Sequence, residues 1–296
     1  MAQAFAQELA GAASRVEAAL ETLLPRESDT AIAAAMRYAV LGPGKRMRAF
    51  LTLATSALFA VPQAQAVRAA AAIECLHAYS LIHDDLPCMD DDDLRRGRPT
   101  VHVLWDEATA VLAGDALQTL AFGILADPAT HPEGAVRAAL CAGLARASGA
   151  GGMVGGQALD IAAETAATPL SLDEITRLQA LKTGALIAFA AEAGGILGLA
   201  GTMARRALLG YAQALGLAFQ IQDDILDIEG DADAAGKRLR KDDAAGKATF
   251  VSLLGLEAAR RQAQETVAEA VGWLDAFGAA ADPLRRLARF TVERQR

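Results

Sequence analysis

The chain is poor in aromatic residues, cysteine and positive charge. Aromatics make up only 5% of its 296 residues, so the 53% hydrophobic content is carried mostly by Ala and Leu. That balance argues against a sheet protein rich in Val, Ile and Tyr. The three cysteines, Cys75, Cys88 and Cys141, include no Cys-x-x-Cys pair. They support neither a disulfide framework nor a zinc knuckle, and a reducing, cytoplasmic compartment is expected. Lys and Arg number 28 against 36 Asp and Glu, a net charge of −8. Such a chain lacks the general positive footprint that nucleic acid or an anionic membrane would require. The opening residues, Met1-Ala2-Gln3-Ala4-Phe5, lack the basic patch and apolar stretch of a signal peptide. Thr183–Ala204 is long and apolar enough to consider as a membrane span, but Glu192 lies near its middle and Gly recurs at 184, 194, 195, 198 and 201. A central acid is costly in lipid, so a buried core helix is expected there, with no stable membrane insertion.

Ala and Leu lose little entropy in helices, and the pattern is helical almost throughout. Helices are expected at Ala2–Leu24, Thr30–Leu41, Lys45–Phe59, Ala64–Asp85, Glu107–Ala126, Gly134–Ser148, Ser171–Ala193, Met203–Ile228, Gly246–Phe277 and Pro283–Glu293. Asp29 or Thr30 can cap the second, and Ser171 with Glu174 forms a capping box for the seventh. Gly42-Pro43-Gly44, Pro62, Gly97-Arg98-Pro99, Asp127-Pro128 and the Gly149–Gly156 run mark the breaks. No hairpin signature links alternating runs, so no sheet is expected. Low-complexity linkers and fixed-period repeats are absent too. The expectation is a single all-α domain over residues 1–296, of about ten helices.

Two carboxylate clusters stand out. Asp84, Asp85 and Asp90 through Asp93 put six acids into ten residues beside an apolar helix, where they repel one another unless a cation sits among them. The second cluster is Asp223, Asp224 and Asp227, in which Asp223 and Asp227 lie one helical turn apart on the same face. Both clusters are flanked by apolar residues, Leu81 and Ile82 in one, Phe219, Ile221, Ile225 and Leu226 in the other. Solvated acidic faces do not usually sit between core residues. Divalent metal suits this pattern, because Mg²⁺ takes hard oxygen ligands and is commonly held by carboxylates together with substrate phosphates. Asp84 and Asp90 would diverge on a straight helix, but Pro87 interrupts it and lets Asp90 fold back.

A diphosphate also needs fixed cations. Gly42-Pro43-Gly44-Lys45-Arg46-Met47-Arg48 supplies them at a helix start, where free N–H groups and the dipole favour an anion. Arg95-Arg96-Gly97-Arg98 follows the first acidic run directly, and Lys182-Thr183-Gly184, Lys237 and Lys247 add further basic points. No G-x-x-x-x-G-K-[ST] loop occurs; the Gly149–Gly156 run follows no strand, and nothing suggests a Ser/His/Asp triad.

From about Ala39 to the helix after Lys247, these residues resemble the short-chain trans-prenyl diphosphate synthases, most closely the bacterial farnesyl diphosphate synthases. The matching motifs are Asp84-Asp85-x-x-x-x-Asp90, Arg95-Arg96-Gly97-x-Pro99-Thr100, Gly152-Met153-Val154-x-Gly156-Gln157, Lys182-Thr183-Gly184, and Phe219-Gln220 ahead of Asp223-Asp224-x-x-Asp227. The resemblance implies an all-α fold around a deep central cavity, usually in a homodimer. It also implies condensation of isopentenyl diphosphate with dimethylallyl and then geranyl diphosphate, with about three Mg²⁺ ions held by Asp84, Asp85, Asp90, Asp223, Asp224 and Asp227. Arg95, Lys182, Thr183, Gln220, Lys237 and Lys247 are then expected to bind the allylic diphosphate. Gly44, Lys45, Arg48, His77 and Arg96 are expected to bind isopentenyl diphosphate. A bulky residue five before the first Asp limits chain growth in the family; here it is Tyr79, with Ser80 beside it, which points to a C15 product. Two departures are Ala49, where the family places Pro, and Phe250, where Tyr is frequent. Rival readings are a C20 synthase, a terpene cyclase, or a non-catalytic acidic helical protein that binds Ca²⁺. The second Asp motif speaks against the cyclase, and the interleaved basic patches against the Ca²⁺ protein.

Overall fold

The computed structural model describes residues 2–26, 28, 30–165, 168–229 and 249–293. Its helices are α1 (Ala2–Leu23), α2 (Ala31–Val40), α3 (Met47–Ala57), α4 (Gln63–Asp84), the short α5 (Val101–Leu104), α6 (Glu107–Ala126) and α7 (Gly134–Ser148). Then come α8 (Met153–Glu164), α9 (Leu172–Gln179), α10 (Ala185–Leu197), α11 (Thr202–Glu229), α12 (Phe250–Leu254), α13 (Leu256–Gly272) and α14 (Asp282–Glu293). Thr30 caps α2 through the Ala33 N–H, and Ser171 and Glu174 form the expected capping box on α9.

α4 is the axis of the core. Ala69 through Leu76 are all buried, so the helix is covered on nearly every side, as a helix apolar all round must be. Its small Ala side chains let α3, α6 and α10 close in upon it. α10 is likewise enveloped, packed by α3, α7 and α11, and the Thr52 hydroxyl donates to the Ala190 carbonyl at 3.0 Å to tie α3 to it. Among the described residues, two helical stretches, Glu107–Ala126 and Leu172–Leu197, are long and apolar enough to cross a membrane. The second is largely buried within the fold, and its Glu192 is paired with Arg205. A smaller apolar cluster of Ile175, Ile221, Ile225, Phe250, Val251, Ala259 and Ala263 underlies the second aspartate motif.

The sequence-based expectations need correction at four places. The Gly149–Gly156 run is not wholly a break, because α8 begins at Met153. A Cβ at Gly156 would stand 2.1 Å from the Lys182 amide nitrogen, so glycine is needed for backbone contact rather than for a loop. The helix expected at Ser171–Ala193 contains a π turn, Ala180–Gly184, and extends to Leu197. Gly255 divides the helix expected at Gly246–Phe277, whose first three residues lie outside the described set. Finally, Leu94–Arg95 pairs antiparallel with Arg98–Pro99 around a turn with positive φ at Arg96 and Gly97. Two-residue strands carry no alternation to read, and here the turn chemistry alone makes the hairpin.

Candidate active site

Two cavities open between α3, α4, α8, the π turn and α11. The larger, about 520 Å³, is lined by Gly44, Lys45, Arg48, His77, Arg96, Thr183, Gln220 and Asp223, with apolar walls from Leu51, Ile187, Leu215 and Phe219. The second, about 390 Å³, is lined by Tyr79, Ser80, Asp84 and Lys182, and it shares Arg48, His77 and Thr183 with the first. Three residues thus join the space faced by the first aspartate motif to the space faced by the second.

The first motif bends as its proline requires. After α4 ends at Asp84 the chain turns back, and the Asp90 N–H donates to the Asp84 carbonyl at 2.8 Å. This brings the Asp90 carboxylate close enough to raise the Asp84 pKa. Burial is the larger cause, and together with Asp85 these push Asp84 up to about 6 despite the opposing charges of Lys182 and Arg95. Asp85 is buried and points away from the two cavities, toward Arg95 beneath the hairpin. Arg95 Nε donates to Asp85 Oδ1 at 2.7 Å and Oδ2 at 2.9 Å. Burial works against the Arg95 charge, but its bonds to Asp85 outweigh that and raise its pKa. The second motif diverges too. Asp223 lines the larger cavity, whereas Asp224 Oδ2 accepts the Phe250 N–H at 2.7 Å at the start of α12. Asp227, one turn beyond Asp223, is half-buried.

The basic side is built by a loop that holds itself. Arg46 enters the left-handed region at φ 50 and buries its guanidinium. Its Nη1 donates to Glu74 Oε2 at 3.1 Å and its Nη2 to the Gly42 carbonyl at 3.0 Å. The other oxygen of the buried Glu74 accepts the Ala49 N–H at 3.1 Å. Pro at this position would have no N–H to give Glu74. Arg48 then projects into both cavities, its Nη1 3.3 Å from His77 Nε2. Burial drives the His77 pKa well below the ordinary histidine value, and Arg48, Arg96, Arg95 and Arg46 lower it further. His77 is therefore neutral near pH 7, which leaves Nε2 able to accept from Arg48. Burial lowers the Arg48 pKa as well, with Glu74 opposing. Arg96 reaches the Pro43 carbonyl at 2.6 Å and closes the loop.

Lys182 and Thr183 stand on the π turn, a device that offsets side chains from the regular helical face. Gln220 Nε2 donates to Thr183 Oγ1 at 3.0 Å and to Gln179 Oε1 at 2.7 Å, binding α11 to the turn. Lys182 Nζ donates to Asp160 Oδ2 at 2.6 Å. Lys237 and Lys247 lie outside the described residues. Sequence reasoning missed Glu74 and Asp160. Glu74 had one signal, a lone acid inside an apolar run; Asp160 sits beyond the glycines, in a stretch read as no helix.

Carboxylates, guanidinium groups and a lysine gathered at one apolar-walled cavity in an all-helical fold define a class of protein that handles anionic substrates away from water. The chain belongs to the polyprenyl synthetase family, whose family model matches residues 29–279. It is 49% identical to the farnesyl diphosphate synthase of Escherichia coli (strain K12) over 274 residues, which cover 90% of each chain. The crystal structure of an FPP/GFPP synthase from Zymomonas mobilis superimposes with a TM-score of 0.91 at 51% identity, covering 99% of this chain and 100% of that one. A geranyltransferase from Helicobacter pylori, complexed with magnesium and isoprenyl diphosphate, gives 0.84 at 36% identity over 98% and 96% of the two chains.

Proposed function

We propose that this chain condenses isopentenyl diphosphate with dimethylallyl and then geranyl diphosphate, giving farnesyl diphosphate and pyrophosphate. The observation that carries this reading is the junction of the two cavities at Arg48, His77 and Thr183, with Asp84 and Lys182 on one side and Asp223 and Gln220 on the other. The E. coli and H. pylori relatives support it.

The donors suit Mg²⁺. Asp84, Asp90, Asp223 and Asp227 offer hard oxygens, while Asp85 and Asp224 would have to leave Arg95 and the Phe250 N–H to join them. Burial, the first cause of the raised Asp84 pKa, disfavours a bare anion that a bound cation would neutralise. Held by these carboxylates, Mg²⁺, about three ions in this reading, would supply Lewis-acid neutralisation of the diphosphate leaving group. Lys182, Thr183 and Gln220, with Lys237 and Lys247, hold the allylic diphosphate in this reading, and Arg95 would join them only by releasing Asp85. Gly44, Lys45, Arg48, His77 and Arg96 hold isopentenyl diphosphate. The neutral His77 keeps Arg48 oriented without adding charge. Leu51, Ile187, Leu215 and Phe219 keep water from the allylic cation until the alkene attacks and a proton leaves. With this goes a homodimer of one-domain subunits, residues 1–296, in the cytoplasm.

Purified protein given isopentenyl and geranyl diphosphates with Mg²⁺ should release pyrophosphate and, after dephosphorylation, yield a C15 alcohol. No pyrophosphate release would overturn the reading. Tyr79 and Ser80 line the second cavity one to two turns of α4 below Asp84, so Tyr79 limits growth. Tyr79→Ala should make C20 the main product in the same assay. Continued formation of C15 alone would remove Tyr79 from this role.

A further inference from the structure

The Leu94–Pro99 hairpin carries Arg95 and Arg96, yet little apolar packing holds it. Leu94 is 56% exposed and Pro99 is exposed too; burial resumes at Thr100 and Val101, just past it. Beneath it lies a small space of about 60 Å³, walled by Tyr38 on α2 and by Ala78, Leu81 and Ile82 on α4. Its turn also puts Arg96 at φ 54, left-handed backbone that strains an L residue. The position of the hairpin therefore rests on side-chain attachments, which open more readily than a packed core.

Attachments to three elements hold it. At the end of α4, Asp85 accepts from Arg95. In the loop before α3, the Pro43 carbonyl accepts from Arg96 Nη1 at 2.6 Å, and the guanidinium lies over Gly44, where a Cβ would come within 2.5 Å of Nη1. On α2 the attachment is Tyr38. Its hydroxyl donates to the Pro99 carbonyl at 2.7 Å, and the guanidinium carbon of Arg98 lies 3.8 Å from its ring centroid. Trp105 meets the same ring edge to face, with centroids 5.4 Å apart, which restrains its rotation. Arg98 and Pro99 pair with Arg95 and Leu94, so Tyr38 grips the strand opposite the one that leads into Arg96.

We infer that Tyr38 is a positioning residue for Arg96: by gripping Pro99 and Arg98 it keeps the hairpin turn where Arg96 lines the larger cavity. The inference rests on the reading that Arg96 binds isopentenyl diphosphate. Tyr38 lines neither of the two cavities that hold the charged groups, so it acts through the hairpin. An arginine aimed before its anion arrives binds better than one that must first be ordered. Released at Pro99, the turn relieves the Arg96 strain by shifting, and binding must then restore it. Arg95 is held separately by Asp85, so the allylic side is not loosened with it.

Steady-state kinetics with Mg²⁺, each diphosphate varied in turn, test this on Tyr38→Phe, Tyr38→Leu, Arg96→Gln and the double variant Tyr38→Leu/Arg96→Gln. Tyr38→Phe removes the hydroxyl but keeps the ring beside Arg98, and KM for isopentenyl diphosphate should rise about threefold. Tyr38→Leu removes both attachments, and the rise should be about tenfold. For both variants, kcat and KM for geranyl diphosphate should stay within about twofold of the parent, a split that general loosening of the fold would not produce. In the Arg96→Gln background, Tyr38→Leu should add less than about twofold, because the two residues act in series. A parental isopentenyl KM in Tyr38→Phe overturns the inference. So does a double variant whose two effects multiply, or a Tyr38 variant in which kcat and both KM values change together. Arg96→Gln with a parental KM removes Arg96 from the site and the inference with it. A parent enzyme that releases no pyrophosphate overturns the proposed function itself, a result distinct from a working parent matched by its Tyr38 variants.

Discussion

Replacing Asp84 with alanine lowers turnover at saturating Mg²⁺ by on the order of 10²-fold or more, the loss found when one electrostatic stabiliser of a developing charge is removed. Asp223→Ala does the same from the other cavity. Isopentenyl incorporation measures both, and near-parental turnover of either variant overturns its place in the site. Asp84 has a second, opposite effect that separates function from structure. Its pKa in the fold is about 6, above the ordinary aspartate value, first because of burial and then because of Asp90 and Asp85. The folded state therefore holds its proton longer than the unfolded state does. Between about pH 4 and pH 6 the fold loses stability as pH rises, and above pH 6 that loss is complete. Asp84→Asn should raise the Tm of chelator-treated protein at pH 7.5 and leave it nearly unchanged at pH 4. A fall in Tm at pH 7.5 would make the carboxylate a fold stabiliser and contradict this account.

Glu74→Ala lowers stability by about 3 kcal/mol, because it takes the buried carboxylate from the Arg46 guanidinium and leaves it only the more exposed Glu17 at 3.4 Å and the loop carbonyls. In a chain of this size that is a fall in Tm of roughly 5 °C. Side chains of both residues are only 3–4% exposed, so water cannot take over the lost charge. The same change frees the Ala49 N–H at the first turn of α3 and loosens the loop that carries Lys45 and Arg48. KM for isopentenyl diphosphate should therefore rise in whatever protein remains folded. Thermal unfolding and steady-state kinetics on one preparation check both; an unchanged Tm would show that Arg46 finds other acceptors.

Local chemistry was legible in the chain. Pro87 announced the reversal that returns Asp90 to Asp84, and Ser171 with Glu174 announced the start of α9, because caps and proline breaks act over three or four residues. The aspartate and arginine motifs were legible for the same reason: charge crowded beside apolar residues demands compensation wherever the segment lies. Gly152, Gly155 and Gly156 were misleading, since glycine marks both loops and close backbone contact, and only the neighbour distinguishes them. The π turn under Lys182 and the Asp160 partner of that lysine were invisible for a related reason. One depends on how a helix yields to its surroundings, the other on a residue 22 positions away.

Composition and local pattern by themselves determined that the chain is helical, that its acids and bases gather in a few short segments, and that those segments suit a diphosphate and a divalent cation. Only the tertiary structure decided which carboxylate of each pair faces a cavity. Asp84 and Asp223 do, while Asp85 turns to Arg95 and Asp224 to the Phe250 amide. Adjacent residues on a helix point about 100° apart, and what each direction meets is set by elements distant in the chain.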